Sequence, residues 1–182
     1  MKTIASLAVI SALGIATLAG QQVQQQSQQH SHLKAGDAAP DFELTGTNNF
    51  KFKLSDFKGK KNVVLAFFPA AFTAGCTEEL TNYTKQGGKF TEANTLVVGV
   101  STDFIATLNY WAKNVLSTEV PLLSDHNRTI SKLYGVLNEP AGIANRTSFV
   151  VAMDGKIADI SENREAIDVS GALAACSRLA KH

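Results

Sequence analysis

Residues 62–76 read NVVLAFFPAAFTAGC. From Asn62 to Phe68 the run is apolar, rich in Val and Phe, and short, which is the pattern of a strand buried on both faces. Pro69 ends it, because its ring fixes φ and removes a ladder donor. Helix-competent sequence resumes at Thr73, a favourable N-cap residue, so Cys76 falls in the first helical turn. A thiol there has two readings. It is a small buried hydrophobe, or it is a nucleophile. A free thiol has a pKa of about 8.5 and is only about 3% thiolate at pH 7. Orphan N–H groups at a helix N-terminus, with a neighbouring cation, favour the charged form.

Working outward, GDAAPDFEL (residues 36–44) leads into FKFKL (residues 50–54), which alternates like an edge strand with Phe50, Phe52 and Leu54 on one face. Thr77 to Phe90 is helix-competent until Gln86-Gly87-Gly88 loosens it. LVVGV (residues 96–100) is a second buried strand, and Phe104 to Val115 places Ile105, Leu108 and Trp111 at helical spacing. PLLSD (residues 121–125) precedes a short helix around Ile130 to Tyr134, and Thr147 to Met153 is a third apolar strand. Asp154-Gly155 is a hairpin signal, with Lys156 to Ile160 returning as the partner and a last helix over Ser170 to Ala180. Strands alternating with helices and ending in a hairpin indicate an α/β fold with a central mixed sheet.

The chain has 182 residues, 45% hydrophobic and 18% charged, with a formal net charge of +1, which suits one globular domain. A balance this near neutral, without a run of like charge, argues against nucleic acid or an acidic membrane surface as partner. Residues 1–20 carry Lys2, an apolar stretch from Ile4 to Leu18 and small residues before Gly20, the pattern of a secretory signal peptide cut after Ala19. An uncleaved anchor is the competing reading, with an apolar stretch short for a membrane span. Residues 21–34 are rich in Gln and read as a disordered linker, leaving residues 35–182 as the domain. Export, to a periplasmic or secreted location, brings Cys76 and Cys176 into an oxidising compartment where disulfides form. The four histidines, His30, His32, His126 and His182, offer no zinc-like spacing.

Pro69-x-x-x-Thr73-x-x-Cys76 resembles the active-site signature of the peroxiredoxins, the alkyl hydroperoxide reductase/thiol-specific antioxidant family. GDAAPDFEL resembles the family's entry, VVGVSTDFIATLNYWAK followed by PLLSD its internal segment, and NRTSFVVAMDGKI the segment with its arginine. The resemblance spans Lys34 to Lys181 and implies a thioredoxin-like fold and a thiol peroxidase that needs no cofactor or metal. It implies a peroxide as substrate, a thiol or thioredoxin-like protein as reductant, and a homodimer as one assembly. By position it makes Cys76 the peroxidatic cysteine, with Pro69 shaping its loop and Thr73 presenting a hydroxyl. Arg146 keeps the thiolate charged and donates to the peroxide. Glu79 orients Arg146, and its neighbour Glu78 is the alternative for that part.

The family's Val-Cys-Pro tail is missing, so Cys176 is the one candidate for a resolving thiol. Leu173, Cys176 and Ala180 share a helical face, which equally suits a packing residue. One-cysteine turnover by an external thiol is the preferred expectation. A thiol-disulfide oxidoreductase would carry Cys-x-x-Cys at the helix start, where this chain has Thr73-Ala74-Gly75-Cys76. A non-catalytic binding protein would leave Cys76 inert.

Overall fold

The computed structural model describes residues 31–181. The signal-peptide reading, most of the linker, His30 and His182 lie outside those residues. Strands β1 (Glu43–Thr45) and β2 (Lys51–Lys53) form an antiparallel pair of their own. The chain then enters a five-stranded sheet at β3 (Asn62–Phe67) and leaves it through α1 (Ala74–Glu92). Strand β4 (Thr95–Ser101), helix α2 (Ile105–Trp111), strand β5 (Leu122–Ser124) and helix α3 (Thr129–Leu133) follow. A small hairpin of β6 (Leu137–Asn138) and β7 (Ile143–Ala144) precedes β8 (Thr147–Val151), β9 (Ile157–Glu162) and α4 (Ser170–Leu179). The sheet order is β5-β4-β3-β8-β9, with β3, β4 and β5 parallel and β8 and β9 antiparallel. This is the mixed α/β sheet that the strand and helix pattern implies.

Strand β3 is central because every one of its residues is buried. Its alternate side chains serve two layers, as a period of two requires. Val63, Leu65 and Phe67 join Phe52, Tyr134 and Phe149 on one face. Val64 and Ala66 meet Tyr83 and Phe90 of α1 and Ala172 and Cys176 of α4 on the other. Helix α1 presents Cys76, Glu79, Leu80, Tyr83 and Phe90 inward, the spacing of one helical face. It ends where Asn94 adopts φ +49, a left-handed stop that Asn tolerates, and Asn94 Nδ2 donates to Lys60 O at 2.9 Å.

Several expectations change. FKFKL supplies its edge strand to a separate pair, β2 with β1, and not to the five-stranded sheet, and this hairpin lies over β5 through a Gly46–Leu123 bridge. Phe52 and Leu54 are nonetheless buried as the alternation implies. Helix α1 runs unbroken through Gly87 and Gly88, since burial of Tyr83 and Phe90 outweighs the poor helix propensity of two glycines. The α2 segment converts at Ala112–Leu116 to a π-turn and stops at Ser117, which has φ +49. PLLSD contributes a strand, β5, that its three residues were too few to announce.

The linker boundary at residue 34 is also corrected. Ser31 Oγ donates to Tyr134 O at 2.7 Å, Ser31 N–H donates to Glu162 Oε1 at 3.1 Å, and Leu33 packs on the core. Ser31 to Lys34 therefore belong to the folded domain. Among the described residues, no helix is long and apolar enough to cross a membrane.

Candidate active site

At the end of β3, Phe68 N–H still donates to Val100 O, and half-buried Pro69 then turns the chain out of the sheet. The loop that follows is tied to the end of β4. Ala71 N–H donates to Asp103 Oδ2 at 2.8 Å, and the same oxygen accepts from Ser101 Oγ at 2.7 Å. Phe72 has φ +64, an unfavourable region for a bulky side chain. This backbone turns its ring outward, where it packs beside Tyr110 and Trp111 at centroid distances of 6.3 and 6.1 Å.

Thr73 is the N-cap of α1 by position, with extended φ and ψ, but its side chain does not cap. The Thr73 hydroxyl donates backward to Ala70 O at 3.0 Å. The Thr73 carbonyl accepts from Thr77 N–H at 2.9 Å and from the Thr77 hydroxyl at 2.8 Å. The expected side-chain cap is thus replaced by a bond that closes the loop.

Cys76 follows in the first turn, fully buried among Phe68, Leu80, Leu108 and Trp111. Its sulfur accepts a hydrogen bond from Arg146 Nη2 at 3.3 Å. The other terminal nitrogen, Nη1, pairs with Glu79 Oε2. Sheet register makes the meeting possible. Thr147 lies opposite Phe67, so Arg146, one residue earlier, stands beside the point where β3 gives way to the cysteine loop. Helical spacing does the rest: Glu79 is three residues past Cys76 and shares its face.

Glu79 is fully buried and Glu78 is exposed, so Glu79 is the carboxylate that meets the guanidinium. Burial pushes the Glu79 carboxyl up to about 7, and the charge and hydrogen bonds of Arg146 offset that only in part. Glu79 Oε1 has no hydrogen-bond partner. Burial pulls Arg146 downward, but Glu79 and Cys76 outweigh it and hold the guanidinium above its ordinary value. One cation thus sits between a carboxyl and a sulfur that are both fully buried, where charge-assisted hydrogen bonds are strong.

Cys176 is not part of this cluster. It is buried under α4, and burial pushes its thiol up to about 11 despite a hydrogen bond with Thr95. Thr95 pairs with Asn62 at the start of β3, whereas the Cys76 loop leaves from its far end. The five residue steps between Asn62 and Phe67 put about 17 Å of strand between the two regions. Disulfide geometry needs Cα atoms within about 7 Å. Among the described residues, no group of three or more His, Cys, Asp or Glu is placed to hold a metal ion.

Two contributors were missed in the sequence. Asp103 holds the loop, and its signal was a Ser-x-Asp pattern at the carboxyl end of a buried parallel strand. Tyr83 donates to Ser148 Oγ at 3.0 Å and sits one turn beyond Glu79, a bond between α1 and β8 with no local signature.

Residues 35–160 match the family model described as the AhpC/TSA family. Alkyl hydroperoxide reductase E of Mycobacterium tuberculosis is 40% identical over 127 residues, covering 69% of this chain and 82% of that protein. The chloroplastic 2-Cys peroxiredoxin BAS1 of Spinacia oleracea is 37% identical over 131 residues, covering 67% of this chain. The chain spans only about half of that relative, 49% of its length. Among solved structures, peroxidoxin BcpB from Mycobacterium tuberculosis has a TM-score of 0.76 at 33% identity, covering 81% of this chain and 99% of that one.

The raised Glu79 carboxyl has a thermodynamic consequence. An exposed carboxyl in the unfolded chain loses its proton near 4.5, while the folded chain keeps it up to about 7. Between these values the folded state binds more protons at Glu79, so this group's contribution to stability is fully present below 4.5 and is lost as pH rises through about 7. Urea unfolding from pH 4.5 to 7 should give a steeper decline for wild type than for Glu79→Gln. Equal slopes would show that Glu79 titrates alike in both states.

Proposed function

The chain belongs to the AhpC/TSA family, the family of its peroxiredoxin relatives, and on that premise we propose that it is a thiol peroxidase acting through Cys76. The observation that carries this reading is the Arg146 guanidinium, with one nitrogen on the Cys76 sulfur and the other on a buried carboxylate. The thiolate attacks one oxygen of a hydroperoxide, an S–O bond forms and the O–O bond breaks. The departing alkoxide or hydroxide takes a proton and leaves as alcohol or water, and Cys76 becomes a sulfenic acid. Arg146 donates to the peroxide as charge moves onto the leaving oxygen, the stage at which a fixed donor lowers the barrier most. Thr73 Oγ1 spends its proton on Ala70 O, so its lone pairs are available to accept the peroxide O–H.

Recycling falls to an external reductant in this reading. A thiol attacks the sulfenic acid to give a mixed disulfide and water, and a second thiol, or the partner sulfur of a thioredoxin-like protein, releases Cys76 with two electrons delivered. The remoteness of Cys176 supports this. Its burial argues equally against its reaching Cys76 of a second copy in a homodimer. Hydrogen peroxide and organic hydroperoxides are the substrates proposed. Residues 1–20 support an exported protein, periplasmic or secreted, with antioxidant duty outside the cytosol.

Cys76→Ser should abolish peroxide consumption in the presence of a dithiol, and Arg146→Gln should slow it by about 10²–10³-fold. Intact mass after one equivalent of hydrogen peroxide should show one added oxygen, trapped by dimedone. Undiminished turnover by Cys76→Ser would refute the activity, and loss of two hydrogens in a monomer would refute one-cysteine recycling. For export, full-length chain expressed in a bacterium should be recovered from the periplasm beginning at Gly20. Recovery from the cytosol with residues 1–20 intact would contradict that proposal.

A further inference from the structure

The peptide unit between Ala70 and Ala71 is bonded at both ends, and its two partners lie in different parts of the chain. Its N–H, that of Ala71, donates to Asp103 Oδ2 at 2.8 Å. Its carbonyl, that of Ala70, accepts from the Thr73 hydroxyl at 3.0 Å. A planar trans peptide points its N–H and its C=O in opposite directions, and among the described residues no peptide bond is cis. Whatever holds the N–H therefore also aims the carbonyl. Asp103 holds it here, so Asp103 decides where the Thr73 hydroxyl finds its acceptor.

Asp103 is itself firmly seated. Its N–H donates to Ser101 Oγ at 3.1 Å and its carbonyl accepts from Ser124 Oγ at 2.7 Å, so the ends of β4 and β5 both hold it. Its Oδ2 also accepts from the hydroxyl of fully buried Ser101 at 2.7 Å. A carboxylate has acceptors and no donor. It attracts the Ala71 N–H and repels a carbonyl, so a flipped peptide that turned Ala70 O toward it is disfavoured. The restraint matters because the next residue, Phe72, sits at φ +64, where a bulky side chain is strained. Thr73 has one hydroxyl proton and two lone pairs. With the proton committed to Ala70 O, the lone pairs are what a peroxide O–H meets. If the peptide turned over, that proton would lose its carbonyl and compete as a donor.

We infer that Asp103 is a positioning residue: through the Ala70–Ala71 peptide it sets the direction of the Thr73 hydroxyl proton, and so keeps Thr73 an acceptor toward the peroxide. The inference rests on the peroxidase reading for its effect on rate. Asp103 acts through Thr73, which separates it from a group that merely braces the loop.

The test is a cycle of Asp103→Asn and Asp103→Ala, each alone and combined with Thr73→Val or Thr73→Ser. Three quantities are measured: the second-order rate with hydrogen peroxide by stopped flow, the alkylation rate of Cys76 by iodoacetamide with peptide-level readout, and the exchange of the Ala71 amide proton by NMR. Asp103→Asn offers the peptide both a donor and an acceptor, and should slow the peroxide reaction by roughly 3- to 10-fold. Asp103→Ala should slow it by roughly 10- to 100-fold, the scale of losses from misplacing a reacting group. Alkylation should stay within about twofold, because iodoacetamide brings no hydroxyl proton for Thr73 to accept. With Thr73→Val neither Asp103 substitution should cost more than about twofold, since the hydroxyl it acts through is gone. With Thr73→Ser, which keeps a hydroxyl, the losses should return. A bracing role would instead change alkylation in step with the peroxide rate and slow the valine background equally, and either result would overturn the inference. So would peroxide rates within about twofold of wild type for Asp103→Ala. If Asp103→Ala does not fold, Asp103→Asn decides by the same comparisons. A wild type inert to peroxide would refute the peroxidase reading, and Ala71 exchange would then decide the clamp. Faster exchange in Asp103→Ala than in wild type upholds it, and equal exchange overturns it.

Discussion

Arg146 is bonded at once to a sulfur and to a buried carboxyl, and nearly every feature of the site exists to allow that double contact. The guanidinium comes from the residue before β8, and its partners come from the first two turns of α1. These elements are remote in sequence, and only the antiparallel pairing of β8 with β3 brings them together. A register slip of one residue would turn Arg146 to the other face of the sheet. The dense apolar surroundings of β3, which forbid such a slip, are thus part of the chemistry as well as of the core.

Placing two potential anions around one buried cation is a compromise. Coulomb attraction favours each pair, and desolvation opposes any charge left over. Glu79 bears the strain, with its carboxyl raised by burial and one oxygen unbonded. The geometry also gives the two cysteines different surroundings. Cys76 has a cation donating to its sulfur at the carboxyl end of β3. Cys176 lies at the other end of the sheet, held as a neutral thiol by the core around it.

Much of this was legible in the sequence because it was local. The apolar run Asn62 to Phe68, the helix carrying Cys76 and the Asp154-Gly155 hairpin each announce themselves through period or turn chemistry. The Pro69, Thr73 and Cys76 spacing, together with Arg146, carried the family resemblance. Non-local facts were not legible. The seat of Ser31 to Lys34 depends on Tyr134 and Glu162, and the partner of β2 is β1 and not the main sheet. The choice between Glu78 and Glu79 was open in one dimension and closed by helical phase. The outward turn of Phe72 and the Thr73 bond to Ala70 run against local preference, as strained features beside functional groups often do.

Trp111 is the single tryptophan and packs against Phe68 in the cluster that holds Cys76, so its fluorescence can follow oxidation of that sulfur. The most direct measurement is the peroxide-dependent rate of that signal in Glu79→Gln, Arg146→Gln and the double variant. If Glu79 acts only through Arg146, the double variant should be no slower than Arg146→Gln alone. Losses that add, or a wild-type rate without Arg146, would contradict the shared guanidinium as the basis of the site.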